Sequence, residues 1–265
     1  MVRSLPPTEL KSCCSALYEQ DWVTALLGEH FHPGGAGLTR HLAEKLHIGP
    51  GTTVLDVACG AGASAVLLAE EFGARVIGMD RSTDLLDKAT ERARDAGVDG
   101  LVQVVLADAE TFPLADQSVD ALICECSFCT FPDKAAAAAE MARATKIGGR
   151  VGITDVTLQR NGPDDGLSTL VEWVACFGGA LPTSGYRRIL NDAGFDVCEP
   201  EDHSDTLMQL LDEVAPRLKA LAALRLGPFT RLDSATVADW IDRARDALTA
   251  RRAGYCLLTG RRAPD

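Results

Sequence analysis

Apolar and polar residues follow two rhythms along this chain: short apolar runs that stop at a glycine or an acid, and longer segments whose apolar positions recur every three or four residues. The first rhythm predicts strands and the second helices. Both are plainest from Thr53 to Asp80, TVLDVACGAGASAVLLAEEFGARVIGMD. Val54, Leu55, Val57 and Ala58, broken by Asp56, predict a strand buried on both faces. Val66, Leu67, Ala69 and Phe72 keep helical spacing over 63–72, and Arg75 to Met79 forms a second strand ending at Asp80. Gly60 and Gly62 therefore occupy a strand-to-helix corner, where the missing Cβ lets the backbone turn tightly and approach a ligand. Asp80, twenty residues past Gly60, stands where an acid holds ribose hydroxyls.

The alternation continues. Ser82 caps a helix over 83–96 that stops at Gly97, and a third strand runs from Val102 to Leu106. DQSVD (116–120) turns into a fourth strand, Ala121 to Glu125; a helix with five consecutive alanines covers 134–145, and IGGRVGITDV is the fifth strand. A sixth strand is read at Phe195 to Glu199 and a last one at Ala253 to Gly260. Between these two, 203–224 and 234–251 show helical spacing, an inserted hairpin suited to a lid, a dimer face or extra core packing. Upstream, Leu17, Tyr18, Trp22, Val23, Leu26 and Leu27 make an amphipathic helix whose start after Thr8 lacks a capping box, because Lys11 stands where an acid is wanted. HFHPGGAGLT then forms a glycine-rich loop before a helix over 38–46; it suits a lid, and its His30 and His32 read best as solvated loop histidines. The fold class is α/β, with a doubly wound, mostly parallel sheet.

Composition narrows the function. At 265 residues the chain buries one substantial core with an appended cap. A net charge of −12 and no basic stripe argue against nucleic acid. No run of about 20 apolar residues spans a bilayer and the start lacks an apolar signal segment, so a cytoplasmic protein is expected. Nine cysteines in such a chain read as thiols with a chemical task before they read as a disulfide framework.

In a doubly wound sheet, ligands bind beyond the carboxyl ends of the strands. The fourth strand ends in ICECSFCTFPDK. Cys124 and Cys126, two apart, face one side of an extended strand, and Cys129 folds back from the loop, so three thiols converge. A structural zinc with a fourth ligand from Cys13, Cys14, Cys59 or a histidine is one reading; small buried fillers are a second. The third is a soft, thiophilic substrate such as trivalent arsenic, whose lone pair attacks a methyl donor with no general base.

The LDVACGAG corner, with Ala65 where a dinucleotide fold has its third glycine, resembles the first motif of class I S-adenosylmethionine-dependent methyltransferases. The resemblance implies a Rossmann-like sheet of seven strands with an N-terminal helical cap, and S-adenosyl-L-methionine as cofactor. It also implies cofactor contacts from Asp56, Gly60, Gly62, Asp80 and Arg81, from Asp108 and Ala109 after the third strand, with Asp108 on the adenine amine, and from Glu125. ICECSFCTFPDK further resembles the strand-four segment of arsenite methyltransferases, and CFGGALPTSGYRRILNDAGF resembles their second cysteine segment. These imply Cys126 and Cys176 as the metalloid-binding pair, assisted by Cys129 and Cys124, and the vicinal Cys13 and Cys14 as a capture site. The chain departs from that family at Ala63, Ser64 and Ala65, where a further cysteine is common and for which Cys59 or Cys129 would substitute. It departs again at Glu125, where an asparagine is usual and whose carboxylate either balances the sulfonium or caps the loop.

The expected organisation is a cap over 1–47, a core over 48–202, the helical hairpin over 203–252, which would also carry any homodimer, and the last strand with its tail over 253–265. The expected activity is methyl transfer to a soft acceptor, foremost trivalent arsenic. The alternatives are an organic oxygen, carbon, nitrogen, thiol or selenol acceptor, with Glu125, His30, His32 or Asp155 available as base, and a metalloid- or zinc-binding protein on the same scaffold.

Overall fold

The computed structural model describes residues 30–159, 179–224 and 234–264, with Lys11, Ala16, Tyr18–Gln20, Val23, Leu27 and Gly28 of the N-terminal segment. In chain order the elements are α1 (Gly35–Lys45), β1 (Thr53–Val57), α2 (Ala63–Phe72), β2 (Arg75–Asp80), α3 (Thr83–Asp95), β3 (Val102–Leu106) and β4 (Val119–Glu125). A short 3-10 turn (Phe128–Thr130) leads to α4 (Lys134–Ala144), β5 (Thr145–Leu158), α5 (Thr183–Asp192), β6 (Phe195–Val197) and β7 (Glu201–Asp202). The chain closes with α6 (Ser204–Ala223), α7 (Ser234–Thr249) and β8 (Ala253–Arg262).

The sheet order is β3-β2-β1-β4-β5-β8-β6. The first five strands are parallel, whereas β8 runs antiparallel between β5 and β6. Connections between parallel neighbours cross over through helices, so β1, β4 and β5 are covered on both faces. Their apolar runs follow from that: four of the five β1 residues and five of the seven in β4 are buried. The order reverses between β1 and β4, and the carboxyl ends of these two strands border the open crevice where such sheets bind ligands.

Three expectations are corrected. The sheet holds eight strands, because the two-residue β7 pairs with Leu257 and Cys256 of β8 and is too short to carry an alternating pattern. The fifth strand extends to Thr145–Leu158, longer than its apolar run, because β8 pairs with it over nine positions from Arg150 to Leu158 and Val119 of β4 pairs with Thr145. The sixth shortens to Phe195–Val197, after which Cys198 bonds Thr259 alone.

Helix α1 lies on β5, where Gly152 leaves room for Leu42 and Leu46; a Cβ there would meet the Leu42 side chain. Arg40 fixes α1 to α2 through two 2.7 Å contacts with Glu71. In the C-terminal hairpin, Leu207, Leu211, Val214 and Leu218 of α6 and Ile241, Ala244 and Leu248 of α7 are buried in the same apolar cluster as the sheet. No helix among the described residues is long and apolar enough to cross a membrane.

Candidate active site

The glycine corner builds one wall of a cleft of about 1140 Å³, its open mouth included. Ala58, Gly60 and Gly62 all have left-handed backbones, with φ of 59°, 53° and 76°. The two glycines divide the labour. Gly60 faces the cleft, and a Cβ on it would meet nothing nearer than the Phe31 ring at 3.6 Å. Gly62 faces α3 instead, and its missing Cβ makes room for Ala89, whose Cβ would otherwise lie 2.7 Å away. Asp80 braces the turn, one carboxylate oxygen accepting from Gly60 N at 3.0 Å and the other from Ser82 N at 2.9 Å. Ser82 in turn caps α3 through Leu85 N.

Negative charge gathers on the floor of the cleft. Asp56, 3% exposed near the carboxyl end of β1, has one oxygen, Oδ2, buried with no hydrogen-bond partner. Burial, with Glu125 and Asp80 nearby, pushes its carboxyl well above the ordinary range. Glu125, at the end of β4, accepts from Ser64 Oγ at 2.6 Å and from Thr39 Oγ1 at 3.2 Å, and its Oε2 lies 3.6 Å from His32 Nε2. At the far end Asp108 is bound by Lys11 Nζ at 2.8 Å, which also reaches Glu110 at 2.6 Å, while Arg81 Nε lies at 3.7 Å. Burial alone would raise the Asp108 carboxyl, but Lys11 and the Glu110 amide outweigh it and hold it below the usual value. Asp108, Arg81 and the buried Ala109 all line the cleft.

These groups fit S-adenosyl-L-methionine. An orphaned buried carboxylate oxygen beside a second acid is a receptor for a cation, and this cofactor carries both a sulfonium and an ammonium. Asp80 has lone pairs left for a ribose diol, Asp108 and Ala109 border the space for the base, and Gly60 lets the ligand lie against the backbone.

The cysteines are distributed otherwise than the strand alternation implies. Glu125 and Cys126 are consecutive, yet both line the cleft. A regular strand forbids this, and it arises because Cys126 leaves β4 with φ of 51°, its N bonding Thr154 O at 2.7 Å. Cys124 does not line the cleft; it is fully buried, and burial beside Asp155 and Asp56 holds its thiol well above the ordinary value. Cys129 is also fully buried; its N donates to Asp155 Oδ2 at 2.7 Å, and it does not line the cleft. Cys126 and Cys59 are the two cysteines among the described residues that do. Cys13, Cys14 and Cys176 lie outside the described residues.

Two histidine expectations change. His32 is no solvated loop residue: it is 7% exposed, lines the cleft and lies 3.3 Å from Thr39 Oγ1. His30 also lines the cleft, its ring edge-on to His32 at 5.6 Å. Asp155 does not line it; its carboxylate accepts from Cys129 N and Val156 N, and burial raises it to about 6. Thr39 was not singled out by sequence reasoning and Ser64 only as a departure from the resembled family, although each is a hydroxyl within an otherwise apolar helical face. Lys11 was noticed only as a poor capping residue.

Residues 48–194 match a family described as a methyltransferase domain. Methyltransferase GfsG of Streptomyces halstedii is 34% identical over 190 residues, covering 71% of this chain and 68% of that protein. The arsenite methyltransferase of Halobacterium salinarum is 33% identical over 159 residues, covering 58% of this chain and 40% of that protein. Among solved structures, phosphoethanolamine N-methyltransferase 2 of Haemonchus contortus, in complex with phosphomonomethylethanolamine and S-adenosylhomocysteine, superposes with a TM-score of 0.77 at 19% identity. That alignment covers 99% of this chain and 61% of that one.

Proposed function

The chain belongs to the S-adenosylmethionine-dependent methyltransferases, and from that premise we propose that its acceptor is a soft, thiophilic species held by Cys126, foremost trivalent arsenic. The observation that carries this reading is the left-handed Cys126, which presents a thiol to the cleft directly beyond β4 and next to the Glu125 carboxylate. A non-glycine residue in this conformation costs on the order of 1–3 kcal/mol and persists where the surroundings demand it. Of the five such residues among those described, Ala58 and Cys126 line the cleft. The likeness to an arsenite methyltransferase supports the same reading.

When bound, the cofactor supplies an electrophilic methyl on a positively charged sulfur. Asp56 and Glu125 hold its positive end, Asp80 its ribose, and Asp108 its base. Cys126, with Cys176 as its partner, would bond the acceptor by displacing two arsenic-bound hydroxyls, which leave as water with the thiol protons, and so fix the direction of its lone pair. An arsenic(III) centre carries no proton at that lone pair, so positioning takes the place of a base. Lys11, bound to Asp108 and Glu110, closes that end of the cleft.

A second reading has its own observation. His32 Nε2, 3.6 Å from Glu125, is placed to take a proton from an organic hydroxyl or amine. Incubation with labelled cofactor and either arsenite or a panel of phenols and amines separates the two. On the first reading Cys126→Ser and Cys176→Ser abolish transfer to arsenite and His32→Ala spares it. Transfer to an organic acceptor that survives Cys126→Ser and is lost in His32→Ala establishes the second.

A further inference from the structure

The corner where α1 meets β7 carries a cluster that methyl transfer does not use. His41 Nε2 lies 2.7 Å from Glu201 Oε2, and His203 Nε2 lies 3.4 Å from the same oxygen. One ligand atom from each of the three lies within 4.8 Å of the others. The residues come from opposite ends of the fold: His41 sits on α1, while Glu201 is in β7 and His203 precedes α6, 160 and more positions later. All three side chains are half-buried, so an ion has access from solvent but meets fixed partners.

Two imidazoles and one carboxylate are the donor set that borderline divalent cations prefer, with a fourth position left for water. Zinc–ligand distances of about 2.0–2.2 Å in a tetrahedron put ligand atoms roughly 3.3 Å apart. The His203–Glu201 pair already has that separation. His41 Nε2 stands at 2.7 Å from the same oxygen, and the two rings are 5.8 Å apart between centroids, so the three donors already surround one point. Lys45 contacts the other carboxylate oxygen, Oε1, so Oε2 remains available.

We propose that His41, Glu201 and His203 form a binding site for a zinc-class divalent cation that clips α1 to the β7–α6 corner. The clip acts on the cleft through α1, because Thr39, two residues before His41, is one of the groups that bond Glu125. It is separate from the thiol site, so the two metal chemistries are distinguishable by ligand type.

The test is zinc binding by the full-length chain, read as stoichiometry after dialysis and as the zinc X-ray absorption spectrum. A nitrogen and oxygen shell with imidazole scattering is expected, alongside any sulfur-bound zinc. The double variant His41→Ala/His203→Ala should lose one equivalent of zinc and all imidazole scattering. His203→Gln, which leaves α1 intact, should weaken that equivalent by about tenfold or more. Zinc should raise the melting temperature of the native chain and not of the double variant. Should the double variant fail to fold, His203→Gln and the native spectrum decide the matter. Zinc bound to sulfur alone, or the same zinc content and imidazole signal in His203→Gln, overturns the proposal.

Discussion

Replacing Asp56 by asparagine should move two properties of the protein in opposite directions. Asp56 Oδ2 is buried without a hydrogen bond, and two more carboxylates stand near it. A buried, unsatisfied polar group costs about 1–3 kcal/mol, and more when charged. The amide keeps the shape of the side chain and discards its charge, so the ligand-free protein should gain about 1–2 kcal/mol, or roughly 2–8 °C in melting temperature for a chain of this size. The sign with pH follows from the raised carboxyl. Stability from Asp56 is fully present below its unfolded value near ~3.9 and is lost as pH rises through the folded value. The advantage of the asparagine variant is therefore absent at about pH 3 and grows above it. Affinity for S-adenosylmethionine should fall about 10- to 100-fold, because a hydrogen bond to a charged group contributes about 1.5–3 kcal/mol. Differential scanning calorimetry without ligand and titration calorimetry with cofactor measure both. A variant that melts lower than the native protein above pH 5, or that binds the cofactor with native affinity, refutes the assignment of Asp56 as a cation receptor.

Asp80→Ala should weaken the cofactor by at least about tenfold, through the ribose and through the Gly60 and Ser82 amides it braces, while arsenic binding is unchanged; equal cofactor affinity in a folded variant counts against it. Asp155→Asn should remove a loss of stability of about 3 kcal/mol that the native chain undergoes between about pH 4 and 7, since a carboxyl raised by burial to about 6 stabilises the fold only while protonated. Denaturant midpoints across that range give the slope, and identical slopes for the two proteins would contradict the reading. Lys11→Ala should increase proteolytic cleavage ahead of residue 30 and leave cleavage of the core unchanged; equal protection in both proteins would mean that Lys11 does not latch the cap.

What the sequence disclosed and what it withheld divide along physical lines. The corner from Thr53 to Asp80 was legible because each of its signals is local: a buried run, two glycines, a helical repeat and an acid at a fixed distance. Gly62 was half-read, since nothing local says that its missing Cβ serves Ala89 of α3 and not a ligand. The strand-four cysteines were read from the alternation of an ideal strand, and one residue's departure into the left-handed region at Cys126 undid that alternation. His32 was taken as solvated because its burial depends on α1 folding back over β4, a contact between residues 86 and more positions apart that no window reveals. The acid that gives β4 its end, Glu125, was recognised as a departure. Its pairing with Thr39 and Ser64 became visible only when three elements met.

The most direct measurement is transfer of a labelled methyl from S-adenosylmethionine to arsenite, compared in the native chain and in Cys126→Ser, with S-adenosylhomocysteine affinity measured in both. Methylated arsenic from the native protein, none from the variant, and equal S-adenosylhomocysteine dissociation constants are expected. Equal arsenic methylation by the variant, or no arsenic methylation by a native protein that methylates an organic acceptor, contradicts a thiol-held acceptor beyond β4.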